Sequence, residues 1–339
     1  MPKRATLADV ANLAGMSTAA ASMVLNNRPG SRLSAESARR IREAAEVLGY
    51  RPNQAARSLR LGSTRTVAFL SDQVVTSRYA MAMVSGLLEA ADERDHTVLI
   101  AEAGADPARL ERSMRAMLER APDAVILGVM GAHRLEVPRL PTGIPVVLVN
   151  AASDRGYPTV LPAERTAGRQ ITAVLADAGH TDIAILGYVP GVADENIPAT
   201  VTVGARFAGI AEVIAERGLR VVARHDQAIW EPHLGFQGMN ELLDSGARFT
   251  GVICLNDRLA FGAYQAMQAR GLRVPDDISL VSFDDDIIAS YLRPGLTTAA
   301  LPYAEMGRRA VEMALSSTLD PEHALVPMPL RLRESVRSV

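Results

Sequence analysis

Along the first 50 residues, apolar positions recur every three or four residues in three short bouts. Leu7, Val10, Ala11 and Ala14 share one side of a predicted helix that Thr6 opens as N-cap, with Asp9 placed three residues on as in a capping box. Gly15 provides the break, Ser17 can cap a second helix, and Ala20, Ala21, Val24 and Leu25 give that helix its buried side. A third stripe of Ala38, Ile41, Ala45 and Leu48 follows Ser34 and stops at Gly49. Two short helices joined by a glycine-containing turn form a helix-turn-helix, whose second helix enters the major groove of DNA.

The pattern changes twice more. Residues 54–60, QAARSLR, make one or two helical turns, too short to persist alone in water and therefore in need of a partner to fold. From Thr66, apolar runs at 67–71, 97–103, 124–128, 144–150, 182–188, 219–224, 251–255 and 278–283 read as strands. Helical periodicity lies between them at 79–92, 107–120, 163–178, 206–217, 234–244 and 258–270. Such alternation means parallel sheets covered by helices on both faces, here long enough for two lobes. The predicted fold class is α/β, with an all-α N-terminal domain at 1–50, a hinge at 51–65 and a two-lobed core at 66–339. Small molecules bind such cores at the carboxyl ends of the strands.

Charge sharpens this division. The net charge of −2 over 339 residues hides eleven Lys and Arg against four acids in residues 1–65, a surplus of +7, while the remainder carries −9. Basic residues neutralise phosphates and release counterions, so the first segment suits DNA and the rest does not. The single cysteine, Cys254, lies in the apolar run VICL and reads as a buried strand residue; a disulfide framework is excluded. With no apolar leader segment and no run of about 18 apolar residues, neither secretion nor membrane insertion is expected, and a cytoplasmic, nucleoid-associated protein is.

The chain resembles the LacI/GalR (lactose-repressor) family of bacterial transcription regulators. The resemblance is carried in order by TLADVANLAGMS from Thr6, the VLNNRPG turn, LGYRPN and the ARSLR hinge. It continues through RFAGI at 206–210, LNDRLAFGA at 255–263, GLRVPDDISLVSFDD at 271–285 and PGLTT at 294–298, covering nearly the whole chain. It implies a helix-turn-helix domain on a periplasmic-binding-protein-like core whose chain crosses between lobes three times, here near 163, 295 and 320. It also implies a homodimeric repressor on double-stranded palindromic operator DNA, with a sugar or related metabolite as effector between the lobes. Without an appended heptad segment, a dimer is expected over a tetramer.

Site residues follow from the same resemblance. Thr18, Ala19 and Met23 match positions that face base edges; methionine and alanine offer apolar contact rather than hydrogen bonds, so the readout is more apolar than in many relatives. Thr6, Ser17, Ser22 and Asn26 match phosphate-holding positions, which fix register without reading sequence. Leu59 matches a minor-groove wedge that two subunits push into a central base step, with Arg57 and Arg60 beside it. In the cleft, Arg206 matches a fork of donors to ligand hydroxyls or a carboxylate, Asp284 an acceptor, Asn256 a bifunctional amide, Trp230 a stacking ring and Tyr79 an aromatic at the opening of the first lobe. Asp285 and Asp286 are expected to be turn acids, and Asp257 to cap the helix after it. Two departures stand out: Ala163 in LPAER stands where relatives often carry an acid, removing an acceptor, and Ser282 replaces a glycine.

Rival classes fare worse. No HExxH, CxxC, GxSxG or Walker loop occurs, and the six histidines (96, 133, 180, 225, 233 and 323) show no ligand spacing, so neither an enzyme nor a metal or cofactor site is expected. His180 reads as structural. A solute-binding transport protein would share the cleft but not the helix-turn-helix. The nearest alternative keeps DNA binding and replaces the small effector with a partner protein or with no ligand.

Overall fold

The computed structural model describes residues 5–26, 33–51, 62–74, 78–104, 106–138, 140, 143–191, 201–316 and 323–339, and the chain divides into two compact units at 65/66. Arg57, Leu59 and Arg60 lie outside the described residues.

In the first unit, α1 (Leu7–Ala14) begins with the full capping box. The Thr6 amide donates to Asp9 Oδ2 at 2.8 Å, and the Asp9 amide donates to Thr6 Oγ1 at 3.3 Å. Gly15 ends the helix in the left-handed region at φ 64°, where a side chain would be strained. Ser17 caps α2 (Thr18–Leu25) through the Ala20 amide, and Ser34 caps α3 (Ala35–Val47) through the Ser37 amide. The three helices bury Val10, Ala11, Ala14, Ala20, Ala21, Val24, Ile41, Ala44 and Ala45 together. Leu7, Leu25, Ala38 and Leu48, expected inside, are only half-buried against that core, at the edges of so small a bundle.

The second unit contains two six-stranded sheets. The first lobe runs β1 (Thr66–Ser71), α4 (Arg78–Asp92), β2 (Thr97–Glu102), α5 (Pro107–Leu118), β3 (Ala124–Arg134), β4 (Val146–Ala152) and β5 (Thr159–Pro162). The second follows with α6 (Glu164–Asp177), β6 (Asp182–Tyr188), α7 (Val203–Arg217), β7 (Arg220–Asp226), α8 (Pro232–Asp244), β8 (Gly251–Cys254) and α9 (Asp257–Ala269). It then adds β9 (Ser279–Asp284), α10 (Ile287–Tyr291) and β10 (Thr297–Ala300). The chain returns to the first lobe for α11 (Tyr303–Ala314) and β11 (Ala324–Val326), then crosses again to β12 (Leu330–Arg331). Strand orders are β11-β5-β4-β3-β1-β2 and β12-β10-β9-β8-β6-β7, every pairing parallel except β10 with β12. The later crossings fall at 301–302 and 327–329 rather than near 295 and 320, because β10 continues the second sheet beyond Gly295 and β11 still belongs to the first.

Central strands such as β1 are buried on both faces, which is why they read as unbroken apolar runs. Val67 and Phe69 meet Met83 and Leu87 of α4 and Met306 and Val311 of α11, whereas Ala68 and Leu70 meet Met114 and Met117 of α5 on the other face. Among the described residues no helix is long and apolar enough to cross a membrane.

Candidate functional site

On one side of the first unit, Thr18 and Ala19 are exposed at the start of α2, with Ser22 and Met23 half-buried one turn on. These residues share a surface because Ala20, Ala21 and Val24 take the opposite side into the core. The four residues matched to phosphate contacts also hold the domain together. Thr6 and Ser17 are the caps described above, and Asn26 Nδ2 donates to the Ser22 carbonyl at 2.7 Å and to its hydroxyl at 3.3 Å. Arg40 Nη2 closes the turn by donating to the Ala14 carbonyl at 2.7 Å.

At the carboxyl ends of β6, β8 and β9 lies a cluster of side chains whose buried centre is Arg206, 2% exposed. Its Nε and Nη2 donate to the two carboxylate oxygens of Glu164 at 2.7 and 2.8 Å, and Nη1 donates to the Leu255 carbonyl at 2.6 Å. Nη2 stands 3.8 Å from Asp284 Oδ1, while the guanidinium carbon lies 4.3 Å from the Phe283 ring centroid and 5.7 Å from that of Trp230. The Trp230 indole N–H donates to the Gly187 and Gln227 carbonyls at 3.0 and 2.9 Å, which fixes the ring against Arg206. Asn256 Oδ1 caps α9 by accepting from the Leu259 amide at 2.8 Å, and its Nδ2 donates to the Trp230 carbonyl at 3.3 Å.

Asp284 and Asp285 take φ of 106° and 53°, conformations costly for non-glycine residues, and neighbouring groups hold them there. The Leu301 amide donates to the Asp284 carbonyl at 3.1 Å, and Arg333 Nη2 donates to Asp285 Oδ1 at 2.6 Å. Asp257 lies beneath the turn, fully buried, accepting the Asp286 amide at 2.7 Å and the Thr298 hydroxyl at 2.8 Å. The helix cap expected of Asp257 is therefore made by Asn256, because Asp257 is already the first residue of α9 and points under the turn. Asp286 caps α10 and also accepts the Tyr79 phenol at 3.2 Å, a bond from one lobe to the other. A second cross-lobe bond runs from the Val201 amide to the Ala132 carbonyl at 2.8 Å.

Burial pushes the Asp284 carboxyl up to about 7, with Arg206 opposing and Glu164 and Asp286 adding to the rise. Asp257 is raised well above its ordinary value by burial first and by Asp284 second. Burial also raises Tyr79 and Tyr303, each further raised by the charge of Asp284. His180 is buried, with Nδ1 2.7 Å from Thr250 Oγ1, and is shifted down mainly by desolvation. Cys254 is buried in β8. Among the described residues no group of three or more His, Cys, Asp or Glu could hold a metal ion.

The N-terminal unit, residues 6–53, matches the model of bacterial regulatory proteins, lacI family, and residues 172–336 match the periplasmic binding protein-like domain. The ribose operon repressor of Haemophilus influenzae is 30% identical over 346 residues, covering 99% of this chain and 99% of that protein. The chain belongs to the LacI family. The HTH-type transcriptional regulator GalR of Escherichia coli is 30% identical over 318 residues, 92% of this chain and 89% of that protein. The fold is that of the lac repressor dimer bound to operator and the anti-inducer ONPF, with a TM-score of 0.78 at 22% identity over 99% of this chain and 100% of that one. These relatives are transcriptional regulators, not enzymes.

Five residues that the LacI-family resemblance brings to one cleft, Tyr79, Arg206, Trp230, Asn256 and Asp284, converge in the structure, all but Tyr79 on the second lobe. The acid absent at Ala163 is present one residue later. Ala163 precedes α6 without a side-chain cap, and Glu164 turns inward to Arg206. This LacI-family chain can pair them because α6 and α7 approach closely: a Cβ at Gly168 would overlap the Arg206 carbonyl, and one at Gly209 the Arg165 carbonyl. Gly209→Ala should therefore destabilise the protein by about 1–3 kcal/mol through overpacking. Chemical denaturation checks this, and a loss below about 0.5 kcal/mol would show that the two helices separate freely.

Proposed function

We propose that the chain is a sequence-specific, DNA-binding transcriptional repressor that acts as a homodimer on a palindromic operator and is controlled by a small polyhydroxylated effector in the cleft between its lobes. The observation that carries this reading is the pairing of two modules in one chain: a helix-turn-helix whose second helix presents Thr18, Ala19, Ser22 and Met23, and a two-lobed core whose cleft gathers Arg206, Trp230, Asn256 and Asp284. Thr6, Ser17, Ser22 and Asn26 set the register on phosphates. Leu59 wedges into the central base step of the operator, with Arg57 and Arg60 beside it on backbone or groove.

The mechanism couples the cleft to the hinge. Tyr79 of one lobe and Asp286 of the other are joined directly, next to Asp284, so a ligand bound at Asp284 competes with or reinforces that bond and changes the angle between lobes. In a dimer that angle sets the spacing of the two 51–65 segments and hence whether both half-sites are met together. Reciprocity then requires operator DNA to change effector affinity by the same factor, typically about 5- to 150-fold.

The test is selection of genomic fragments by the purified full-length chain, repeated over a panel of pentoses, hexoses and nucleosides. One palindrome, lost or gained with one compound, is the expected result. Selection that no compound alters would transfer control from the cleft to a partner protein, and absence of any palindrome would remove the dimeric repressor reading itself.

A further inference from the structure

The reading of Arg206 as a receptor for an effector's carboxylate or hydroxyls meets an obstacle: most of its donors are taken. Of five N–H groups, Nε and one on Nη2 serve Glu164, and one on Nη1 serves the Leu255 carbonyl, leaving two. The Glu164 pair is bidentate, with both side chains 3% exposed, so neither solvent nor a modest rearrangement screens it. The charge an anionic ligand would seek is thus already balanced within the protein.

The surroundings repeat this pattern. Arg258 is paired with Glu231, and Arg333 and Arg331 are paired with Asp285. Against Arg206, the one fully buried guanidinium among the described residues, stand Glu164, Asp286 and, once its carboxyl has ionised, Asp284, which lies 3.8 Å from Arg206 and is 10% exposed. An incoming carboxylate or phosphate meets more negative than positive charge in a buried setting, where such terms are weakly screened. A hydroxyl meets two spare N–H donors and a carboxylate acceptor, and an amine meets Asp284.

Resting on the cleft as effector site, we infer that Glu164 sets the charge class of the effector: by occupying Arg206 it reserves the cleft for neutral or amino-bearing polyols and turns away carboxylates and phosphates. Glu164 is thereby a specificity-determining residue one position beyond the expected acid. Its reach to Arg206 depends on the Gly168 and Gly209 contacts between α6 and α7. Trp230, the only tryptophan, lies beside the pair and reports on it.

The experiment titrates the full-length protein with sets of one skeleton and three charges: glucose, glucosamine, gluconate and glucose 6-phosphate, then ribose and ribose 5-phosphate, followed by Trp230 fluorescence and calorimetry. The wild type is expected to bind neutral or amino members at least about tenfold more tightly than their anionic counterparts. Glu164→Gln, which frees the guanidinium, is expected to raise anion affinity about tenfold or more. The double variant Glu164→Gln/Arg206→Gln is expected to show no such gain, because the receptor charge is gone. An anionic member that binds wild type as tightly as its neutral parent overturns the inference and leaves the cleft reading standing. A gain of anions in the double variant equal to that in the single one overturns it too. If no member binds any of the three proteins, the polyol-cleft reading and the inference fall together. The wild-type comparison decides the matter even if Glu164→Gln does not fold.

Discussion

Arg206→Ala should cost the protein about 3–5 kcal/mol of stability, measured by urea unfolding followed at Trp230. The loss arises less from the missing attraction than from what remains: Glu164, 3% exposed, keeps a buried carboxylate without the fork that held it. The Leu255 carbonyl loses its donor in the same step, and Phe283 loses the guanidinium above its ring. Replacing both members with methionine should restore most of the loss, because a buried ion pair exchanged for apolar side chains of similar volume is often neutral or stabilising. If the single variant lost under about 1 kcal/mol, well below that range, Glu164 would have another route to solvation. The same variant should also lose its effector response, because the cleft would lack its only buried guanidinium among the described residues.

Asp284→Asn should stabilise the protein in alkaline solution and leave it nearly unchanged in acid. The native carboxyl takes its proton near 7, against an ordinary 3.8 for the unfolded chain. Between those values the native state holds a proton that the unfolded state has released, so stability falls as pH rises through the window and is flat above it. At 1.36 kcal/mol per unit the penalty is about 4 kcal/mol at most by pH 8. Asparagine carries no such charge. Unfolding midpoints at pH 4.5, 6 and 8 for wild type and variant would show a gap that opens with pH; a gap that does not vary with pH would rule out the buried charge as its source. A gain of stability in the variant would support the proposed binding role of Asp284, as does its strained φ of 106°.

Much of the molecule is legible in its sequence. The helix-turn-helix can be read because each of its signals is local: Thr6 with Asp9, Gly15, Ser17, and alanines spaced for one buried side. The α/β core is visible because parallel strands buried on both faces leave unbroken apolar runs such as VAFLS. Helix α11 escapes such a reading: it follows Pro302, and its buried side of Met306, Gly307, Ala310 and Val311 is formed against α4, more than 200 residues earlier. Glu164 escapes it for a related reason. An acid in the first turn of a helix ordinarily serves the helix dipole at the surface, and only the Gly168–Gly209 approach, a property of two helices together, brings it inside. Asp257 reads as a cap because Asn and Asp stand side by side and either can cap; the turn above needs acceptors for the Asp286 amide and the Thr298 hydroxyl, and the two carboxylate oxygens of Asp257 supply them while Asn256 caps the helix.

The route of the chain also bears on its birth at the ribosome. The first lobe lacks α11 and β11 until residues 303–326 have been made, although β1 to β5 are complete by Pro162. Throughout synthesis of the second lobe, Val67, Phe69, Met83 and Leu87 await the Met306 and Val311 that cover them. A nascent chain that exposes such an apolar face while more than 140 residues are added, a half-minute at the slower elongation rates of about 5 residues per second, is a natural client for chaperones that hold unfinished domains.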